Sequence, residues 1–94
     1  MMEVDRLVHE PARFMILSYL CVVERADFQF LMNQIGLTRG NLSSHMTKLE
    51  DAGYIKVKKT FKKKKPNTML SVTTKGRKAY DGYTKQMKRI FKGP

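Results

Sequence analysis

At 94 residues and 41% hydrophobic content, the chain is one small domain with a modest core, a size at which self-association often completes the apolar interior. Its net charge of +11 excludes a neutral surface and points to a polyanionic partner. The single cysteine, Cys21, excludes an internal disulfide, and no apolar run approaches the roughly 18 residues of a membrane helix.

The charge is unevenly placed. Residues 1–53 hold five Lys/Arg against seven Asp/Glu, a net −2; residues 54–94 hold fourteen against one, Asp81, a net +13. The opening residues MMEVDRLVHE have neither a basic start nor a long apolar run, so no export signal is expected, and a cytoplasmic location is.

Residues 1–10 read as a short lead-in. A first helix is expected over 11–24, because Pro11 suits the first helical position, where no amide hydrogen is needed. Phe14, Ile16, Leu17, Leu20, Cys21 and Val23 make it apolar on most sides and hence buried; Tyr19 and Cys21 read as core residues. Asp27 caps a second helix over 28–35, and Gly36 ends it. Its apolar contacts are Phe28, Phe30, Leu31 and Ile35.

The third helix, 38–52, is the best specified. Thr38 is a good N-cap with Asn41 three residues on, Leu37 and Leu42 have the spacing of a hydrophobic staple, and Gly53 closes the helix. Leu42, Met46 and Leu49 point into the core. Gly40, Ser44 and Thr47 point the opposite way, flanked by Ser43 and Lys48, with Asn41 at the edge. Solvated helix faces favour Glu, Lys and Gln, so a face of small, poor helix formers suggests a contact requirement. Such side chains let a helix approach base edges closely. The candidate recognition set is Thr38, Arg39, Gly40, Asn41, Ser43, Ser44, Thr47 and Lys48.

A hairpin is expected over 54–73. Ile55 and Val57 face in while Lys56 and Lys58 face out, and Leu70 and Val72 mirror them. Phe61–Asn67 is read as the tip, with Pro66-Asn67 as the turn signal. Seven lysines crowd into residues 56–65, and the self-repulsion of such a cluster is best explained by a bound anion. The candidate phosphate-contacting set is Lys58, Lys59, Lys62, Lys63, Lys64, Lys65 and Asn67, with Lys75 and Arg77 beyond the hairpin. Thr73 caps a last helix, 74–91, whose first turn carries Lys75, Arg77 and Lys78. Cations there oppose the helix dipole, which points to a binding role.

The last helix spaces Tyr80, Tyr83, Met87 and Ile90 by three, four and three residues, with Phe91 beside them. This a/d-type seam is read as intermolecular, helped by residues 3–17 and notably Leu7 and Phe14. A two-fold dimer would place two third helices about 34 Å apart on a pseudo-palindromic site. The expected fold class is α+β, mostly α: a winged helix-turn-helix with a three-helix core, a β-hairpin wing and a C-terminal dimerisation helix.

The chain resembles the small stand-alone winged-helix transcriptional regulators of the MarR/ArsR-like superfamily. The resemblance runs through His9-Glu10-Pro11-Ala12-Arg13, Ile16-Leu17, Gly36 to Met46 and Leu49 to Ile55. It continues with Phe61, Pro66, Thr68 and Val72-Thr73-Thr74-Lys75-Gly76-Arg77-Lys78-Ala79, nearly the whole chain in order. It implies a homodimer on double-stranded DNA, with the third helix in the major groove and the wing along the adjacent minor groove or backbone. Two departures stand out. Metal-sensing relatives present paired cysteines or His/Asp/Glu clusters, whereas here His9 and His45 lie far apart and Cys21 is alone, so no metal and no cofactor is expected; His45 reads as a structural histidine. The wing carries lysine where similar proteins often carry arginine, and lysine contributes affinity more than shape readout.

No Ser-His-acid set, phosphate-cradling loop or paired-carboxylate motif occurs, so an enzyme is not expected. A sequence-specific DNA-binding regulator is the leading reading. A nonspecific architectural or RNA-binding winged helix is the alternative, since phosphate contacts alone carry no sequence information. A protein-interaction module is the third, but it does not require +13 in one half of the chain. An effector, if one exists, would have room only at the dimer junction near Tyr80 and Tyr83.

Overall fold

A computed structural model describes residues 5–92. Five helices and three strands follow in the order α1 (Arg6–His9), α2 (Pro11–Val23), β1 (Arg25–Asp27), α3 (Phe28–Ile35), α4 (Arg39–Asp51), β2 (Ile55–Lys62), β3 (Lys65–Val72) and α5 (Thr74–Lys92). The fold is the mostly helical α+β winged helix expected from the sequence. Residues 3 and 4 of the expected first-helix contribution lie outside the described residues.

The capping chemistry sets the helix starts. Asp27 Oδ1 accepts from the Phe30 amide at 2.7 Å and Thr38 Oγ1 from the Asn41 amide at 3.2 Å, each satisfying an otherwise orphaned donor. Gly36 and Gly53, at φ 79 and 80, turn the chain out of α3 and α4 in the left-handed region. The core is built from Val8, Ile16, Leu17, Leu20, Leu31, Leu42, Leu49, Ile55 and Leu70, all essentially sealed from solvent. Leu42 and Leu49 fix which face of α4 points inward and so which face is left outside.

Four features differ from the sequence reading. First, the lead-in contains a helix, α1. Asp5 Oδ1 accepts from the Leu7 and Val8 amides, Val8 is fully buried, and the Tyr54 hydroxyl donates to Asp5 Oδ2 at 2.7 Å. Tertiary anchoring thus sustains a single turn that would not persist in isolation. Second, Arg25–Asp27 forms a third strand: Ala26 pairs with Leu70 in the antiparallel register that runs from Arg25↔Ser71 to Asp27↔Met69, giving the sheet order β1-β3-β2.

Third, the hairpin tip is tighter than expected. β2 and β3 stay paired out to Lys62↔Lys65, and the turn is Lys63-Lys64, at φ 52 and 67. Two successive positive φ values match a type I′ turn, whose twist suits the flanking strands. Pro66 is therefore inside a strand, opposite Phe61. It is tolerated because β1 ends its pairing with β3 at Met69, so Pro66 faces an open edge on that side. Fourth, α2 is not buried all round. Ile16, Leu17 and Leu20 are sealed, but Met15, Val22 and Val23 are exposed, Val22 at 82%, around an apolar hollow shared with Tyr19 and Phe30.

α5 lies against α1 and α2. Gly76 is buried against the Tyr54 backbone, which leaves no room for a Cβ. Thr73 ties this junction together: its hydroxyl donates to the Gly53 carbonyl at 2.6 Å and accepts from the Gly76 amide at 3.0 Å. That clamp fixes the start of α5 to the end of α4, and so fixes the wing between them.

Candidate nucleic-acid interface

α4 presents Gly40, Ser44 and Thr47 to solvent, with Thr38, Arg39, Asn41 and Lys48 also exposed and Ser43 half-buried. The Thr47 hydroxyl donates to the Ser43 carbonyl at 3.0 Å, which leaves its oxygen lone pairs facing outward as acceptors. Arg39 is the one long side chain at the head of this face. Its guanidinium lies 5.4 Å from the Phe28 ring centroid and donates to Gln29 Oε1 at 3.4 Å, so it leans over α3 while remaining exposed.

The inner end of α4 is braced by a polar cluster. Arg13 Nη1 donates to His45 Nδ1 at 3.2 Å, and Arg13 Nε donates to the Leu7 carbonyl at 2.7 Å. Glu10 Oε2 lies 3.6 Å from His45 Nδ1 and accepts from the Arg13 amide at 2.9 Å. Partial burial of Glu10 would raise its pKa, but the amides of Arg13 and Ala12 and the nearby His45 and Arg13 outweigh that and hold it below the usual carboxylate value. His45 thus serves as a structural residue linking α4 to α2. Among the described residues, no group of three or more His, Cys, Asp or Glu is arranged to hold a metal ion.

The wing splits its cations between two faces. Lys59 stands on the inner face with Ile55 and Val57; Lys56, Lys58 and Lys62 stand on the outer face of β2, with Lys65 opposite Lys62; Lys63 and Lys64 occupy the turn. All are exposed. Lys62 leans 3.9 Å from Asp27 Oδ2, an exposed ammonium at the contact limit of a half-buried carboxylate, so a phosphate would compete for it. Lys59 Nζ donates to Thr68 Oγ1 at 3.3 Å. Between wing and helix lies a cleft of about 250 Å³ lined by Arg39, Ser43, Lys59, Asn67 and Thr68 together with the side of Phe28. The structure therefore brings the head of α4 and the inner face of the wing to one concave, cationic surface.

Beyond the wing, two expected flank residues part ways. Lys75 is exposed, 5.8 Å from the Tyr54 ring. Arg77 turns inward and donates to the Cys21 carbonyl at 3.1 Å, one of the orphaned carbonyls at the end of α2. This corrects the reading of Arg77: its guanidinium caps α2 and is committed to the fold. The Cys21 thiol is itself pushed up in pKa, chiefly by burial and slightly by Asp81, with Arg77 opposing.

The seam on α5 also divides. Tyr83 is buried, shares a 2.7 Å hydrogen bond with His9 Nδ1, and packs against Phe14 at 5.5 Å between centroids. Tyr80 stacks on Phe14 at 5.3 Å and bonds Ser18 Oγ at 2.8 Å. Leu7 and Met87 pack against the same core. These five are covered, wholly or partly, within one protomer, a correction to reading the entire seam as intermolecular. Only Ile90 and Phe91, 56% and 85% exposed, carry the stripe past the protomer's own surface. The groove beside Tyr83 is open and lined by Lys78, Lys85 and Arg89 as well as Asp5 and Gly82.

Residues 12–91 match the winged helix DNA-binding domain. The chain belongs to that family. This winged helix is 32% identical over 87 residues to an uncharacterised protein of Methanocaldococcus jannaschii, covering 93% of this chain and 95% of that one. Among solved structures it is similar to a transcriptional regulator homologue protein from Pyrococcus horikoshii OT3, with a TM-score of 0.89, 27% identity, and coverage of 95% of this chain and 88% of that one. It also shares its fold with a MarR protein from Peptoclostridium difficile, at a TM-score of 0.71 and 20% identity over 89% of this chain and 54% of that one. The winged helix is a DNA-binding transcriptional regulator, a family without enzymatic activity. No helix among the described residues is long and apolar enough to cross a membrane.

Proposed function

We propose that the protein is a homodimeric, sequence-specific regulator. It sets α4 into the major groove and the lysine-rich wing along the adjacent backbone and minor groove. The observation that carries this reading is the concave surface shared by the two elements. Arg39, Ser43 and Met46 line the α4 side of that surface, the exposed small residues Gly40, Ser44 and Thr47 lie one position further round the helix, and the wing cations are exposed. In this reading Asn41, Ser44 and Thr47 meet base edges, while Arg39, Lys48, Lys58, Lys59 and Lys62–Lys65 meet phosphates. Thr38 serves through its cap and its amide-rich helix start. Two copies join through the overhanging end of α5, with Ile90 and Phe91 at the contact.

A nonspecific architectural role is the second reading, favoured by the all-lysine wing. The α4 face separates the two. If bases are read, Ser44→Ala and Thr47→Val change which sites bind best, while alanine at Lys62–Lys65 weakens binding to every sequence alike. Competition binding against a panel of duplexes measures this. An unchanged ranking in the α4 variants contradicts sequence-specific readout.

A further inference from the structure

Phe61 is 79% exposed, although a ring in water forgoes the burial that usually rewards an aromatic residue. Its placement follows a pattern along the sheet. The inner face of the hairpin is a row of directly opposed pairs: Ile55↔Val72, Val57↔Leu70, Lys59↔Thr68 and Phe61↔Pro66. The first two pairs close over the core, where Ile55 and Leu70 are buried. The third lines the cleft against Arg39 and Ser43. In the fourth, Pro66 still borders that cleft, whereas Phe61 is not among its lining residues and stands exposed.

The face that roofs the candidate interface thus ends in an apolar pair. In a two-residue hairpin the residues flanking the turn exchange hydrogen bonds, so Lys62↔Lys65 is the bonded pair and Phe61↔Pro66 the non-bonded one. Non-bonded pairs bring their Cα atoms to about 4.5 Å, which starts the two side chains from neighbouring positions on one face. Lysines surround this ridge: Lys59 behind it on the same face, Lys63 and Lys64 in the turn, Lys62 and Lys65 on the reverse. An apolar centre with a cationic rim is complementary to a minor groove, whose walls are deoxyribose C–H groups and whose rims are phosphates. A partner protein surface would have to be both apolar and strongly acidic to match equally.

We propose that Phe61, backed by Pro66, enters the minor groove beside the α4 site and packs against the sugar walls, while the wing lysines hold phosphates on either side. This rests on the reading that the wing lies on DNA. The ring contributes affinity that salt does not screen, because it carries no charge.

Fluorescence anisotropy with a labelled duplex, titrated over a range of salt, tests the proposal on the full chain. Wild-type protein that fails to bind overturns the underlying reading itself. Given binding, Phe61→Ala is expected to weaken affinity about five- to twentyfold, the lower part of the range for removing an aromatic ring that stacks on a base, because the ring here packs on sugar edges. Phe61→Leu falls between, and the salt slope of both equals that of wild type. Lys63→Ala, in contrast, lowers the slope. An unchanged affinity for Phe61→Ala overturns the inference and leaves the DNA-binding reading standing. Placement is read by Phe61→p-benzoylphenylalanine, whose photoreaction abstracts C–H hydrogens: cross-links to deoxyribose support the minor groove, and their absence in a bound complex overturns it. Because the position is exposed, thermal melting of the variants matching wild type confirms that binding is read on folded protein.

Discussion

The Tyr54 hydroxyl donates to the Asp5 carboxylate at 2.7 Å, joining the first helix to the turn between α4 and the wing. Asp5 also caps α1 through the Leu7 and Val8 amides, so one carboxylate serves both the helix start and the long-range bond. Burial first, and then the hydrogen bond and charge of Asp5, push the Tyr54 pKa up to about 12 from an ordinary value of 10.0. A folded-state pKa raised above the unfolded one means a contribution fully present below pH 10 and lost as pH rises through about 12. We expect Tyr54→Phe to cost about 1 kcal/mol at neutral pH. The cost should shrink between those two pH values. Ultraviolet titration of tyrosinate checks the assignment: wild type shows a late-ionising phase that the variant lacks. A tyrosinate curve of the same shape in both would contradict it.

Two glycines in α5 should answer the same substitution with opposite signs. Alanine is favoured over glycine in a helix interior by about 1 kcal/mol, and a Cβ at Gly82 would meet nothing within 4 Å. Gly82→Ala is therefore expected to stabilise by about 0.5–1 kcal/mol. At Gly76 the Cβ would overlap the Tyr54 carbonyl, a backbone group that cannot step aside. Overpacking wins there, and Gly76→Ala should destabilise by about 1–3 kcal/mol. Urea denaturation of the two variants decides; stabilisation at Gly76 would show that the α5 junction is looser than the Thr73 clamp implies.

Lys63 and Lys64 hold φ values of 52 and 67, a conformation costing a non-glycine residue about 1 kcal/mol or more. Asn-Gly is the preferred pair for such a turn. Replacing Lys63-Lys64 with Asn-Gly should raise stability by about 1–2 kcal/mol. It should also weaken DNA binding and lower the salt slope by about 0.9 for each phosphate no longer neutralised. Stability gained at a cost in binding would mark these lysines as kept for the ligand. A variant that gains stability and binds as before would contradict their phosphate role.

The dimer contact is narrowed to the end of α5. Aspartate at Met87 would put a charge against the protomer's own core and confound folding with assembly. Ile90→Asp and Phe91→Asp place it on residues that the protomer leaves exposed. Sedimentation velocity should show wild-type dimer and variant monomer, with helical content unchanged. A dimer persisting in both variants would move the interface elsewhere, the apolar hollow beside Val22 and Phe30 being the next surface to test.

Elements specified by local chemistry are legible in the sequence. The caps at Asp27 and Thr38, the proline at the start of α2 and the alternation of Ile55 and Val57 each report a neighbour a few residues away. What escapes is set by distant partners. β1 is three residues without alternation and exists through Ala26↔Leu70; α1 is one turn held by Val8 and Tyr54. Pro66-Asn67 is a stronger turn signal than two lysines, and nothing local announces left-handed lysine, so the hairpin tip is legible only in the structure. On α5 the apolar stripe is clear, but a stripe does not say whether its cover is the same protomer or another. Arg77 likewise looks like a surface cation until the end of α2 is known to lie beneath it. Within the interface, the exposed face of α4 follows from helical periodicity, whereas Phe61 carries no signal beyond its resemblance to related chains.

Sequence-specific binding is the central claim, and selection from a random double-stranded DNA pool at about 150 mM salt, which suppresses nonspecific phosphate contacts, tests it most directly. The account predicts an enriched inverted repeat with half-sites about one helical turn apart. DNA retained without any enriched motif would contradict base readout by α4 and leave the architectural reading in its place.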